Sequence, residues 1–369
     1  MVLRGGATDT HPALLHERGL PRNRNVAALL VLGYTKRGGY TMRRLVWIGS
    51  PFFSDALRAA GWEVFAHDFQ DVAVFGWDDL VAMAGWEPDV VVVADKSRPP
   101  FVLGVENFPC HTVLYCVDTH IHSWYPYYAQ AFDACMVSLR DHIITFTERR
   151  LPDQHLWWSP AYARDTDQPQ EAEKQWDCLF VGTVSRSKTP RRYTFLNKLA
   201  KRMPLHVTQG AYRELYPRAR VVLNYCELGD LNFRVFEALG CGACLLTPHV
   251  EHGFGQMFRK DVDLGIYKPD DVDDVVAQTL ALLESASTRQ SMAANGLATI
   301  NAAHRACHRA QTFTERVRAL PADLPAKRCA EAGAIRKQWL RMVYLLFAEH
   351  LDQPLLREAY CKAASKQGF

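Results

Sequence analysis

The stretch Leu231–Pro248 reads LNFRVFEALGCGACLLTP, and it decides how the second half of the chain is read. Asp230 or Asn232 is placed to cap a helix that begins near Phe233, and the free N–H groups and dipole of such a helix start favour an anion. Gly240 and Gly242 end the helix, so that ACLLTP can enter a sheet. Glu237 lies about one turn into the helix, between the apolar pairs Val235-Phe236 and Ala238-Leu239. A carboxylate held there needs a partner, because buried carboxylates are rare unless paired or hydrogen-bonded. Two kinds of partner are open: the hydroxyls of a ribose, or a cation of the chain such as Arg234 or Arg220.

Around this stretch, strand and helix patterns alternate. WDCLFVGTVS from Trp176 reads as a strand and turn, RRYTFLNKLAKRM as a helix, and PLHVTQG and ARVVLNYC as strands. Downstream, DDVDDVVAQTLALLE and STRQSMAANGLATINAAHRA have helical spacing. The first half shows the same rhythm: RLVWIGS, PFFSDALRAAG, WEVFAHD, DDLVAMAGW, PDVVVVAD and HTVLYCVD. PDVVVVAD is apolar on both faces, as a central parallel strand covered by helices must be. YYAQAFDACMVSL and HIITFTE are expected to supply a further helix and strand, and HLWWSPAYARD closes the half.

The polar stretch RDTDQPQEAEKQ then separates two α/β halves. The expected architecture is two Rossmann-like βα domains facing a cleft, with a C-terminal helical extension. The boundaries are a poorly ordered extension at 1–41, a first domain at 42–165, a linker at 166–175, a second domain at 176–325, and helices at 326–369. The last of these carry the apolar stripe of QWLRMVYLLFAEHL.

A length of 369 residues agrees with two domains, since single cores stop growing before that size. With 48% hydrophobic and 22% charged residues, the composition excludes a largely disordered chain. A net charge of only +3 argues against nucleic-acid binding through phosphate contacts, while allowing a local basic cleft. The ten cysteines lack disulfide-scaffold spacing, and the lone C-x-x-C, Cys241 to Cys244, reads as small packing residues. Reduced thiols in the cytoplasm are the expectation. The apolar run Val26–Leu32 is too short for a membrane span of about 20 residues, and no other run is long enough.

The strand ending at Gly182 is followed by Thr183 and a loop carrying Ser185, Arg186, Ser187, Lys188, Arg191 and Arg192. Ligands of open α/β sheets bind beyond such carboxyl ends, and Gly with Arg and Lys suits a phosphate. A solvated basic face is the plainer reading of the same residues. P-loop and G-x-G-x-x-G signatures are absent from the sequence.

From Trp176 to Arg309 the chain resembles the C-terminal domain of GT-B glycosyltransferases, especially CgeB-like relatives of the large retaining family. The shared pattern is an Asn-ending strand followed by N-x-R-x-F-E-A-x-x-C-G-x-x-L-L-T, matched by Asn224, Asn232, Arg234, Phe236, Glu237, Ala238, Cys241, Gly242 and Leu245 to Thr247. The resemblance implies that Glu237 binds the ribose of a nucleotide diphosphate sugar, and that Gly182, Thr183, Arg186 and Lys188 face its diphosphate. Many retaining relatives carry an acidic residue eight positions before that Glu; here the position is Gly229, with Glu227 and Asp230 nearby. HTVLYCVDTHIHSW resembles the acceptor-side strand and loop, which makes Asp118, His120 and His122 candidates beside the reacting sugar. A His-x-His pair also suits a metal, yet the resemblance implies neither metal nor cofactor. The implied activity is sugar transfer from a nucleotide-sugar donor to an unidentified glycan, lipid, protein or small-molecule acceptor, with Lys188 aiding departure of the diphosphate. Two alternatives stand beside it: a sugar-nucleotide epimerase of the same fold, and a non-catalytic sugar-nucleotide-binding or scaffold protein.

Overall fold

The apolar runs RLVWIG, VVVVA and HTVLYC lie side by side in one parallel sheet, buried because helices cover both of its faces. The computed structural model describes residues 42–365; the expected extension at 1–41, with its Val26–Leu32 run, lies outside the described residues. The first half comprises β1 (Arg44–Gly49), α1 (Ser54–Ala59), β2 (Glu63–His67), α2 (Trp77–Ala84), β3 (Val90–Ala94), β4 (His111–Cys116), α3 (Tyr125–Tyr128), β5 (Ala134–Val137) and β6 (Leu156–Trp158). Its six strands run in the order β2-β1-β3-β4-β5-β6, every pair parallel.

The second half comprises β7 (Trp176–Val181), α4 (Pro190–Leu199), β8 (His206–Thr208), α5 (Tyr212–Leu215), β9 (Ala219–Leu223), α6 (Phe233–Gly240), β10 (Leu245–Pro248), α7 (Phe254–Met257), β11 (Gly265–Tyr267), α8 (Val272–Glu284) and α9 (Ala286–Ala303). Its parallel sheet has the order β11-β10-β9-β7-β8. Four helices follow: α10 (Ala306–Arg318), α11 (Leu324–Ile335), α12 (Arg341–His350) and α13 (Pro354–Ala364). Two parallel sheets flanked by helices are thus the architecture expected from the sequence.

The chain passes between the sheets twice, and the two crossings are paired. The Ala163 N–H donates to the His304 carbonyl at 2.9 Å, and the Ala306 N–H to the Ala163 carbonyl at 2.9 Å. Both lie against the end of α6, where a Cβ on Gly240 would stand 2.6 Å from that of Ala163. Glycine is therefore required there by close approach. Buried Arg305 fastens the same place, donating to Asn301 Oδ1 at 2.8 Å and to the Arg164 carbonyl at 2.9 Å.

One expectation needs correction. HIITFTE is not a strand: Arg140–Phe146 is a 3-10 stretch whose only buried residue is Phe146, with Ile144 73% exposed. The sheet position went instead to ACMV just upstream, which is buried throughout. Within the exposed stretch at 166–175, Asp167 alone is fully buried, accepting from the Arg164 N–H and from Arg213 Nε. The stripe of α10, Ala306, Ala310, Phe313 and Val317, packs with Leu45, Trp47, Trp62 and Val90 of the first half.

The C-terminal helices likewise form a layer of the first half, sharing its core through Ile335, Leu340, Tyr344, Leu356 and Tyr360. Their buried stripe runs Pro325, Arg328, Ala332, Ile335 and then Leu340, Val343, Tyr344, Ala348. The five-residue step from Ile335 to Leu340 coincides with a π-helical turn over Arg336–Leu340, which keeps both stripes on one face. Two buried ion pairs fix this layer. Arg328, fully buried, pairs with Asp133 and donates to Thr112 Oγ1 at 2.7 Å, while Arg336 meets buried Glu106 at 2.9 Å.

Candidate active site

At the carboxyl end of β7 the backbone turns at Gly182, φ +154°, and its N–H donates to the Thr208 carbonyl at 2.9 Å. A Cβ at Gly182 would stand 2.9 Å from Arg234 Nη2, so the glycine leaves that guanidinium its place. Arg234, in the first turn of α6, donates through Nε to the Val181 carbonyl at 3.0 Å and through Nη1 to Asn224 Oδ1 at 2.8 Å. Fully buried Asn224 is held in turn by its amide donating to Thr247 Oγ1 at 3.0 Å and to Asn232 Oδ1 at 3.3 Å. Asn224 and Asn232 thus act on Arg234 from behind.

Asn232 does occupy the position before α6, but the capping expected of it or of Asp230 is not made: no side chain caps the helix. The Asn232 amide turns instead toward Cys226 Sγ at 3.4 Å. The first turn of α6 therefore keeps its N–H groups free of a side-chain acceptor, beside the Arg234 guanidinium.

Arg192, near the start of α4, reaches the same spot. Its Nη1 donates to the Thr183 carbonyl at 2.9 Å, and Nε lies 3.7 Å from Glu227 Oε2. Burial lowers its pKa, and the charge of Arg234 lowers it further. Two neighbouring guanidinium groups that repel one another make a place an anion would relieve. Arg186 and Lys188 stand exposed on the turn between, and among the described residues their side chains make no hydrogen bond or ion pair. The turn itself is fixed, with Thr189 Oγ1 accepting the Ser185 N–H at 2.9 Å and Ser185 Oγ accepting the Lys188 N–H at 3.2 Å.

Glu237, three residues after Arg234, is half-buried, and its carboxylate makes no hydrogen bond or ion pair among the described residues. Arg220 is taken by Asp177, and Arg234 is turned to Val181 and Asn224. Burial, and then the charge of Asp167, push the Glu237 pKa up from 4.5 to about 7, against the opposing pull of Arg234, Arg164 and Arg213. Asp167 accepts hydrogen bonds from Tyr212 Oη at 2.9 Å and Arg213 Nε at 2.6 Å. Asp167 and Tyr212 are site neighbours that the sequence does not single out, and Arg192 stands there only as one cation of the basic loop. Asp167 sits in a polar run, and Tyr212 in a four-residue helix without a pattern to mark it.

Across the cleft, Asp118, His120 and His122 share the loop after β4. Asp95, at the end of β3, organises it by accepting the N–H groups of Val117 at 2.8 Å, Asp118 at 2.7 Å and Ser97 at 2.6 Å. His122 Nε2 lies 2.9 Å from Ser97 Oγ, and the Asp118 pKa is raised by burial and then by Asp95. His120 Nδ1 is buried without a partner. From the second half His252 approaches this region, its N–H donating to Asp141 Oδ2 at 2.8 Å and its ring edge-on to His142 at 5.2 Å. Burial, His142 and His120 all act to lower the His252 pKa. Beside Arg234, Phe233 stacks on Phe52 of the first half, ring centroids 5.8 Å apart at 16°. The carboxyl ends of both sheets are thus brought to one cleft. Among the described residues no three His, Cys, Asp or Glu side chains are grouped to hold a metal ion, and no helix is long and apolar enough to cross a membrane.

The geometry is that of a GT-B glycosyltransferase fold. Residues 169–315 match a family described as glycosyl transferase-like. Sucrose-phosphate synthase from Thermosynechococcus elongatus superposes with a TM-score of 0.54 at 11% identity, over 75% of this chain and 98% of that one. HepE from Anabaena, solved in complex with UDP, gives 0.53 at 10% identity over 76% and 100% of the two chains. A glycosyltransferase from Rickettsia africae gives 0.50 at 7% identity over 78% and 100%. No curated protein matches the chain in sequence.

Proposed function

We propose that the protein transfers a sugar from a nucleoside diphosphate sugar to an acceptor held by the first domain. The observation that supports this most is the Arg192–Arg234 pair at the uncapped start of α6, with unpartnered Glu237 one turn further on. In this reading the two guanidinium groups, the helix start, and Arg186 and Lys188 hold the diphosphate. Glu237 accepts from the ribose hydroxyls, and Tyr212 borders the nucleoside. Charge accumulates on the diphosphate as the glycosidic bond breaks, so preorganised cations lower the barrier more than they tighten the ground state. Closure of the cleft excludes water and suppresses donor hydrolysis. Asp118, His120 and His122 stand on the acceptor side, beside the sugar.

Retention of configuration, and the CgeB-like subgroup, rest on the sequence pattern quoted above. In that pattern Gly229, φ +79°, replaces the acidic residue, and Glu227 is turned toward α4, accepting the N–H groups of Arg191 and Arg192. Asp230 is left as the carboxylate nearest the donor sugar in this reading. The Gly229 replacement also favours the second reading, a protein that binds the donor without turning it over.

The test is a thermal-shift series of the full chain with UDP, UDP-glucose, UDP-galactose, UDP-N-acetylglucosamine and GDP-mannose, followed by product analysis of each binder. A ligand at 100 times its Kd stabilises by about 2.7 kcal/mol, which a melting curve resolves. Binding with slow release of free sugar supports a transferase lacking its acceptor, an epimerised donor supports the epimerase, and binding with no product supports the non-catalytic reading. Absence of any shift at millimolar nucleotide sinks the donor site itself.

A further inference from the structure

A cavity of about 460 Å³ lies beside the two chain crossings and shares no lining residue with the site above. Trp157 and Trp158 of β6, with Phe313 and Arg316 of α10, form its first-domain wall, and Met257 of α7 and His304 beyond α9 form the other. Such a volume falls in the range of small-molecule sites, which favour domain interfaces.

The lining has a definite chemistry. It contains no Asp or Glu. Arg316 lies over the Trp157 ring, 5.8 Å to the centroid, and among the described residues its guanidinium has no hydrogen bond or carboxylate partner. Arg309, the other cation, is committed to the carbonyls of Pro160 at 2.9 Å, Ala161 at 3.0 Å and Ala303 at 3.1 Å. His304 Nδ1 lies 3.2 Å from Arg309 Nη2, and burial, then Arg309, hold its pKa down at about 4, so it is neutral. Both indole N–H groups are used, Trp157 donating to the Gln154 carbonyl at 3.1 Å and Trp158 to the Ser138 carbonyl at 3.2 Å. What the rings offer a ligand is therefore their apolar surface. One free positive charge, aromatic walls and the uncommitted side chains of Gln256 and Thr312 remain.

We propose that this cavity binds a small organic anion with a planar apolar body, and that its occupancy sets the angle between the two domains. The cavity abuts Ser159, Pro160, Ala303 and His304, which flank the paired crossings at Ala163 and Ala306. Because its walls come from both domains, a ligand touching both binds one interdomain angle better than another. That differential affinity is the requirement for shifting the equilibrium, and the effect on a ligand in the cleft must be reciprocal.

The probe is 2-naphthalenesulfonate, with neutral 2-naphthalenesulfonamide as its control, titrated into the full chain by calorimetry. One-to-one binding is expected, at least tenfold tighter for the sulfonate. Arg316→Gln, at an exposed position, should abolish that preference, and Thr312→Trp, also exposed, should fill the cavity and weaken both probes tenfold or more. Equal binding of the two probes, or unchanged binding in both variants, overturns the site. Small-angle X-ray scattering with and without the sulfonate then reads the domain angle directly, and an unchanged profile at saturation overturns the control role. The effect of the probe on UDP affinity, expected to be threefold or more, rests on the donor reading above. If UDP does not bind, that reading fails, while the scattering result still decides this one.

Discussion

The guanidinium groups of Arg192 and Arg234 lie over one ring, 5.8 and 5.1 Å from the centroid of Phe180. They arrive from different helices, α4 and α6, and burial, then the charge of Arg234, lower the pKa of Arg192. Arg192→Gln should weaken UDP binding tenfold or more, measured by calorimetry. The ligand-free melting temperature should move little, because loss of the Glu227 contact is offset by relief of repulsion from Arg234. Unchanged affinity with a lowered melting temperature would make the pair structural.

Lys188 has no such structural tie. Its side chain stands exposed on a turn that Ser185 and Thr189 hold in shape through backbone contacts. Lys188→Ala should therefore leave the fold intact and reduce kcat more than donor affinity, since the diphosphate gains charge only as the bond breaks. Equal losses in kcat/KM and in binding would mean uniform binding.

For the C-terminal helices the expectation concerns stability. Arg328→Met leaves Asp133 buried without its cation, and breaking a buried pair from one side costs about 3–5 kcal/mol. The urea midpoint should fall accordingly. Adding Asp133→Leu should recover most of the loss, because both charges are then gone. No recovery in the double variant would show that the hydrogen bonds of Arg328 to the Thr112 hydroxyl and Cys110 carbonyl matter more than its charge.

The sequence reveals what each element buries more readily than where it buries it. The central strands were legible because Val90–Val93 and Val113–Cys116 are apolar on both faces. β11, three residues long, was too short to carry a period. HIITF has the composition of a strand, but ACMV upstream and LWW downstream take the adjacent sheet positions as β5 and β6. The stripe of α10 announces a buried face without saying that the first sheet receives it. Asp167 reads as a linker residue because its partners Tyr212 and Arg213 are 45 and 46 residues away. At the site, Gly182, Asn224, Arg234 and Glu237 were legible through motif and strand end. Arg192 was only one cation in a basic run until α4 set its direction.

Glu237 gives the sharpest separation between a ligand-binding and a structural carboxylate. Its pKa is raised in the folded chain from 4.5 to about 7, so the folded state holds the proton more tightly than the unfolded one. The associated stability is fully present below about pH 4.5 and is lost as pH rises through about 7. At 1.36 kcal/mol per unit, a rise of about 2.5 units makes the loss roughly 3–4 kcal/mol. Glu237→Gln keeps the size and has no charge to bury. It should melt with the wild type near pH 4.5 and above it at pH 8. UDP-glucose affinity should behave the opposite way, rising in the wild type from pH 6 to 8 as the carboxylate ionises, and staying flat in the variant. Since a hydrogen bond to a charged group contributes about 1.5–3 kcal/mol, the variant should bind about tenfold to a hundredfold more weakly at pH 8. A variant that melts lower at pH 8 and binds UDP-glucose as well as the wild type would return Glu237 to the core as a pairing residue, and would remove the ribose contact from the proposed function.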